Sequence, residues 1–281
     1  MTGRPEDIGE RLENVRQIED VVVALRAMAA AHARDARNHI AAIRQHAATV
    51  QRAMASAIVA AVPPEPAPTS EEGHLMIVVG AAQGFAGLYN EHVVTSALEH
   101  AGQDEAPQFL LVGQRCAAEF DRRGIAPVWS ANMVVRAAEV PGLASRIADT
   151  LYERIGRRAV ERVSLIHGSS DKGPLEVTFH HLLPFDFSRI GGPVDSSEPL
   201  MTLPPERLLE RLVEEYVFAD ICEALMQSFA AENDARMQAM TRARSNVDDM
   251  AEDLERAYRI ARQEKTTMEI FELTVGSHRP V

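Results

Sequence analysis

Positive charge, cysteine and long apolar runs are all scarce in this chain. Lys and Arg number 29 against 41 Asp and Glu, so the net charge is -12. That balance excludes the basic footprint of a nucleic-acid-binding protein and argues against adhesion to an anionic membrane surface. The two cysteines, Cys116 and Cys222, are far apart and lack the spacing of a metal site. They fit a reducing compartment without a disulfide framework. No apolar run approaches the ~18 residues that a membrane span needs. Residues Met1 to Arg11 carry acidic groups and no apolar core, so neither a signal nor a transit peptide is expected there.

Glycine and proline are absent from two long stretches. From Glu206 to Val275 nothing breaks a helix, which allows a rod of roughly 105 Å at about 1.5 Å per residue. Apolar residues recur there at steps of three and four: Ala219, Cys222, Met226, Phe229, Met240, Ala243, Val247, Met250, Leu254, Ala257, Ala261, Met268, Phe271 and Val275. This is a coiled-coil seam, and it needs a partner along its length. The segment from Glu10 to Val62 is also free of Gly and Pro, allowing a helix of roughly 80 Å. Its seam runs Val15, Ile18, Val22, Leu25, Ala29, Ala36, Ile40, Ile43, Ala47, Val50 and Met54, with Ala33 marking an expected stutter. Its dense alanines let two backbones approach closely.

The middle of the chain reads differently. Pro63, Pro64, Pro66 and Pro68 stop the first helix. Strand-like runs at Leu75–Val79, Phe109–Val112, Pro127–Trp129, Arg162–His167 and Leu175–Leu183 then alternate with helical patterns at Leu88–His100, Gln114–Arg123 and Leu143–Arg157. The alternation predicts a small α/β domain with a mostly parallel sheet. The expected division is therefore an N-terminal coiled-coil helix (1–62), an α/β globular foot (74–184) and a C-terminal coiled-coil helix (205–281), with linkers at 63–73 and 185–204. The fold class is α/β: a long antiparallel two-helix coiled coil carrying an inserted α/β domain. The C-terminal helix should overhang its partner.

Candidate chemistry is thin. Gly80, Gly84 and Gly87 follow a strand and precede a helix, the place for a phosphate cradle. Their spacing is neither G-x-G-x-x-G nor a P-loop, so a tight strand-to-helix turn is the better reading. Gly168 to Gly173 lacks nucleophile-elbow spacing and reads as a turn between strands. His32, His39 and His46 recur every seven residues, roughly 10.5 Å apart along a helix, too far to share one metal with ~2 Å bonds. His180 and His181 are adjacent in a strand and point to opposite faces. No metal site, catalytic residue or cofactor is expected. Arg236 falls on a seam position, and Asn233 and Glu264 interrupt the seam likewise. Such polar residues either set the register of the pair or face another partner.

These residues carry a resemblance. Ala235-Arg236-Met237-Gln238-Ala239-Met240 resembles the A-R-M-x-A-M of the gamma subunits of F-type ATP synthases. Asn246 and Leu254 sit in the stretch similar to that family's D-N-x-x-x-L-I-x-x-L. Tyr258-Arg259-Ile260-Ala261-Arg262-Gln263 resembles its Y-N-K-A-R-Q, and Thr267, Glu269, Glu272 and Gly276 continue its I-T-x-E-L-x-E-I-V-x-G ending. Near the N-terminus, residues Ala24 to Ala31 look like its A-M-x-M-V-A-A-x, and Gly84 to Asn90 like its G-L-C-G-G-L-N. The segments keep their order over the whole chain. Departures are Asp20 and Val23 where the family has lysines, Ala82-Gln83 for its D-R, and the acidic net charge. They suggest a divergent member, of the kind found in an alternative F-type ATPase.

The resemblance implies a non-catalytic rotor shaft. Its partners would be a ring of three alpha and three beta subunits, an epsilon subunit and the membrane c-ring, at the cytoplasmic face of the bacterial plasma membrane. It further implies that Arg236, Arg262, Gln263, Thr267 and Glu269 are contact and coupling residues, with Leu25 replacing a family Met near a beta-subunit contact. Residue pattern alone leaves two other readings open, a coiled-coil adaptor and a phosphate-binding α/β enzyme with helical arms.

Overall fold

The computed structural model describes residues 4–60, 73–102, 107–157, 160–171, 173, 175–187, 190 and 202–276. The expected linkers at 63–73 and 185–204 fall largely outside these residues. Helix α1 runs Pro5–Ala60 and helix α5 runs Pro205–Gly276, 56 and 72 residues long. Between them come β1 (His74–Val79), α2 (Tyr89–Ala101), β2 (Gln108–Val112), α3 (Gln114–Arg122), β3 (Trp129–Ala131), a 3-10 turn (Ala137–Glu139), α4 (Val140–Gly156), β4 (Arg162–Ser169) and β5 (Glu176–Leu183). The chain divides into two compact units. One comprises Met1–Met28 with Met237–Val281, the other Ala29–Arg236.

The larger unit holds a five-stranded sheet of order β3-β2-β1-β4-β5. All neighbours are parallel except β4 and β5, which form an antiparallel hairpin. β1 is central, and all six of its residues are buried, as expected for a strand covered on both faces. Its alternation divides the core in two. Leu75, Ile77 and Val79 face a cluster with Ile147 and Leu151 of α4, Ala36 and Ile40 of α1, and Val217, Ile221 and Leu225 of α5. Met76 and Val78 face Val93 and Ala97 of α2 and Cys116 and Phe120 of α3. Burial pushes the thiols of Cys116 and Cys222 up to about 12, so both stay protonated and inert at neutral pH.

β3 lies two residues beyond its expected position, with Trp129 pairing Leu110. Pro127 has no N–H to give a ladder, and pairing begins after it. α4 starts three residues earlier than the pattern predicts, because Pro141 sits in its first turn, where no backbone N–H is needed.

The seam of α1 also differs from the expected one. Buried and half-buried positions recur at Ile8, Leu12, Val15, Glu19, Val22, Arg26, Ala29, Ala33, Ala36 and Ile40, steps of four and three without a stutter. Ala33 is an ordinary member of the heptad series. Ile18, expected in the seam, is 52% exposed. On α5 the burial passes through Val247, Ala251, Leu254, Tyr258 and Ala261, so Met250 (53% exposed) and Ala257 lie outside it. Positions i+3 and i+4 flank the same line on a helix, and only the partner's side chains choose between them. Glu264 is exposed and interrupts no packed seam.

In the smaller unit the helices run antiparallel. Arg16 donates to Glu255 at 3.0 Å, and Lys265 pairs with Glu6 in the first turn of α1. In the larger unit the same two helices are again antiparallel, through Arg37 with Asp234, Arg44 with Glu223 and His46 with Glu215.

Candidate functional site

The polar groups buried most deeply on α5 lie on one of its faces, against the loop that leaves the central strand. Ser228, Glu232 and Arg236 are spaced four residues apart and stack on three successive turns. The Ser228 hydroxyl donates to the carbonyl of Val79 at 3.2 Å, and its oxygen lies 2.5 Å from the Tyr89 hydroxyl. Glu232 is 2% exposed. Its carboxylate accepts the backbone N–H of Ala82 at 3.1 Å and that of Gln83 at 3.3 Å, and it pairs with Arg236. Arg236 donates to the carbonyl of Gly84 at 3.3 Å and to Asn233 Oδ1 at 2.9 Å. Asn233 returns its amide to the carbonyl of Phe229, one turn back.

The loop has the local chemistry to be held this way. Gly80 lies so close to α3 that a Cβ would meet Cys116 at 2.4 Å. Asn90 accepts the N–H of Ala81 at 2.9 Å. Phe85 adopts a left-handed φ of 63° and is 71% exposed. Two amides that could have bound a phosphate are occupied by the chain's own carboxylate, so the glycine loop is a docking turn.

A second group of contacts surrounds this one. Asp234 pairs with Arg37 and accepts the Ser170 hydroxyl at 2.6 Å. Arg44 bridges Asp171 and Glu223, which raise its pKa, with the hydrogen bond to Asp171 the larger cause. His180 meets Asp220 at 3.1 Å. Its strand neighbour His181 lies on the other face, 2.9 Å from Ser164. Of the spaced histidines, His32 packs on the Phe229 ring and His46 on Glu215, while His39 meets the Asp35 carbonyl.

The expected site residues separate into two places. Arg236 is buried in the larger unit. Arg262, Gln263, Thr267 and Glu269 share a stretch of α5 in the smaller unit, all exposed. There Thr267 donates only to the carbonyl of Gln263, at 2.9 Å. Leu25 is half-buried on α1. Apolar side chains are exposed beside the α5 group, including Ile260, Met268, Ile270, Leu273 and Phe271, the last at 68%. Glu232 is the residue that sequence reasoning missed. A signal was present: a carboxylate four residues before Arg236, directly after the apolar run Phe229-Ala230-Ala231.

The class that follows is a long-helix coiled-coil protein with an α/β insert, whose buried polar groups join a helix to a loop. Among the described residues no helix is long and apolar enough to cross a membrane, and no cluster of ligands suits a metal. Residues 5–278 match the profile of the family described as ATP synthase. The ATP synthase gamma chain of Bdellovibrio bacteriovorus is 25% identical, covering 96% of this chain and 97% of its own. That of Heliobacterium modesticaldum is 27% identical with the same two coverages. In structure, the rotor of the Euglena gracilis mitochondrial ATP synthase superposes with a TM-score of 0.64 at 14% identity, over 93% of this chain and 98% of that one. The chain belongs to the ATP synthase gamma-chain family. It is a non-catalytic, peripheral subunit of the F1 sector.

Proposed function

We propose that this chain is the central-stalk rotor of an F-type ATP synthase at the cytoplasmic face of a bacterial plasma membrane. It turns within a ring of three alpha and three beta subunits and binds an epsilon subunit and the c-ring. Ion flow through the membrane sector then drives the catalytic beta subunits through their states, or ATP hydrolysis drives the reverse. A rotor biases its surroundings only through contacts that differ among them.

The observation that carries this reading is the exposed end of α5. Beyond Lys265, which pairs with the first turn of α1, the side chains of residues 266–273 are exposed. An apolar helix end of this kind is stable in water only at a cost and suits a protein sleeve. Arg262, Gln263, Thr267 and Glu269 give that end polar contacts at defined heights. With Arg236 and Leu25 they form the proposed coupling set. Gln263 is the cleanest probe of it, since Arg236 is also bound into the buried network.

Reconstitution with the cognate alpha and beta subunits tests the reading. A probe fixed to the α/β unit should rotate when Mg-ATP is hydrolysed. A well-folded chain that fails to assemble with alpha and beta, and instead recovers unrelated proteins, would make it a coiled-coil adaptor.

A further inference from the structure

Glu232 does more than neutralise Arg236. Its two oxygens take two consecutive backbone N–H groups, and the guanidinium it holds takes the next residue's carbonyl. Ser228 holds the chain at the end of β1, and it meets Tyr89 where α2 begins. Three successive turns of α5 therefore grip the whole connection from Val79 to Tyr89. Between the grip on Gly84 and the one on Tyr89 lie Phe85 and Gly87, and both take left-handed φ values. Such a segment is soft unless tied down.

We propose that Glu232 is a positioning residue for torque transmission, locking the β1–α2 loop to α5 so that the helix and the central strand turn as one body. This rests on the rotor reading above. Charge-assisted bonds are the stronger kind, and at 2% exposure this one is little screened by salt. The loop continues directly into β1, the middle strand of the sheet. A twist applied to α5 thus reaches the sheet through the carboxylate, as well as through apolar packing.

The test uses Glu232→Gln and Glu232→Asp in the full chain. Glutamine loses the charge. Aspartate keeps the charge beside Arg236 but is too short to reach both amides. In the isolated chain, hydrogen exchange at Ala82 and Gln83 should accelerate about tenfold or more, with Leu75–Val79 unchanged. In the assembled complex, ATP hydrolysis should persist while ions pumped per ATP fall severalfold, with Glu232→Asp between wild type and Glu232→Gln. If Glu232→Gln does not assemble, Glu232→Asp carries the second arm. Unchanged exchange at the two amides overturns the clamp. Faster exchange with an unaltered ion-to-ATP ratio overturns its role in torque and leaves a folding residue. A wild-type complex that does not rotate is a separate result, and it refutes the rotor reading.

Discussion

Gly168 lies against the ring of Tyr89, and a Cβ there would stand 2.5 Å from the ring and 2.8 Å from its hydroxyl oxygen. Tyr89 is fully buried and tied to Ser228, so it has nowhere to move. Gly168→Ala should therefore cost about 1–3 kcal/mol by overpacking. It should appear as a lower urea midpoint with an unchanged m value. The preceding residue, His167, sets a pH dependence. Burial lowers its pKa to about 4 from an ordinary 6.5, against a smaller opposing effect of its hydrogen bond to the Gly168 carbonyl. The folded state then binds fewer protons than the unfolded one between these values. Its contribution is present above pH 6.5 and is lost as the pH falls toward about 4. The full loss is about 3 kcal/mol. Urea titrations from pH 7 to pH 4 should show this slope, and His167→Gln should flatten it whatever its stability at pH 7.

Elements were legible in type and order, because Gly- and Pro-free runs and the change of period from 3.6 to 2 are local properties of the chain. Phase was not. Ile18 and Val22 are equally apolar, yet one is exposed and the other buried, because the choice is made by residues of α5 more than two hundred positions away. Ile18→Ser should change stability by no more than ~0.5 kcal/mol, while Val22→Ser should cost about 2 kcal/mol, both read by urea denaturation. Partners of buried charge were the least legible feature. Arg236 stood out as a cation in an apolar seam, which left open whether it set register or met another protein. The structure pairs it within the chain, with Glu232 and the carbonyl of Gly84. That pairing depends on a loop about 150 residues earlier, beyond the reach of any periodicity.

For the whole molecule, the two units differ in how their helices are buried. In the larger unit, every α5 side chain from Ala224 to Ala231 except half-buried Gln227 is buried, and α5 lies against a sheet whose strands β1, β2 and β4 are almost entirely buried. In the smaller unit most seam positions are only half-buried, and Ala261 is the last buried one. Opening free energy follows buried contacts, so the smaller unit should open locally well below the cost of global unfolding. Amides of residues 240–273 should exchange faster than those of β1 and β2 in the isolated chain. Assembly with alpha and beta subunits changes only what the ring touches. If the exposed end of α5 sits inside that ring, those same amides should gain protection of about 2 kcal/mol or more on assembly, while β1 and β2 stay as they were. Phe271→Ser sharpens the comparison. It should leave the isolated chain's stability within ~0.5 kcal/mol, and weaken both the gain in protection and ATP-driven rotation. Equal protection of residues 240–273 before and after assembly would place this end of α5 outside the ring.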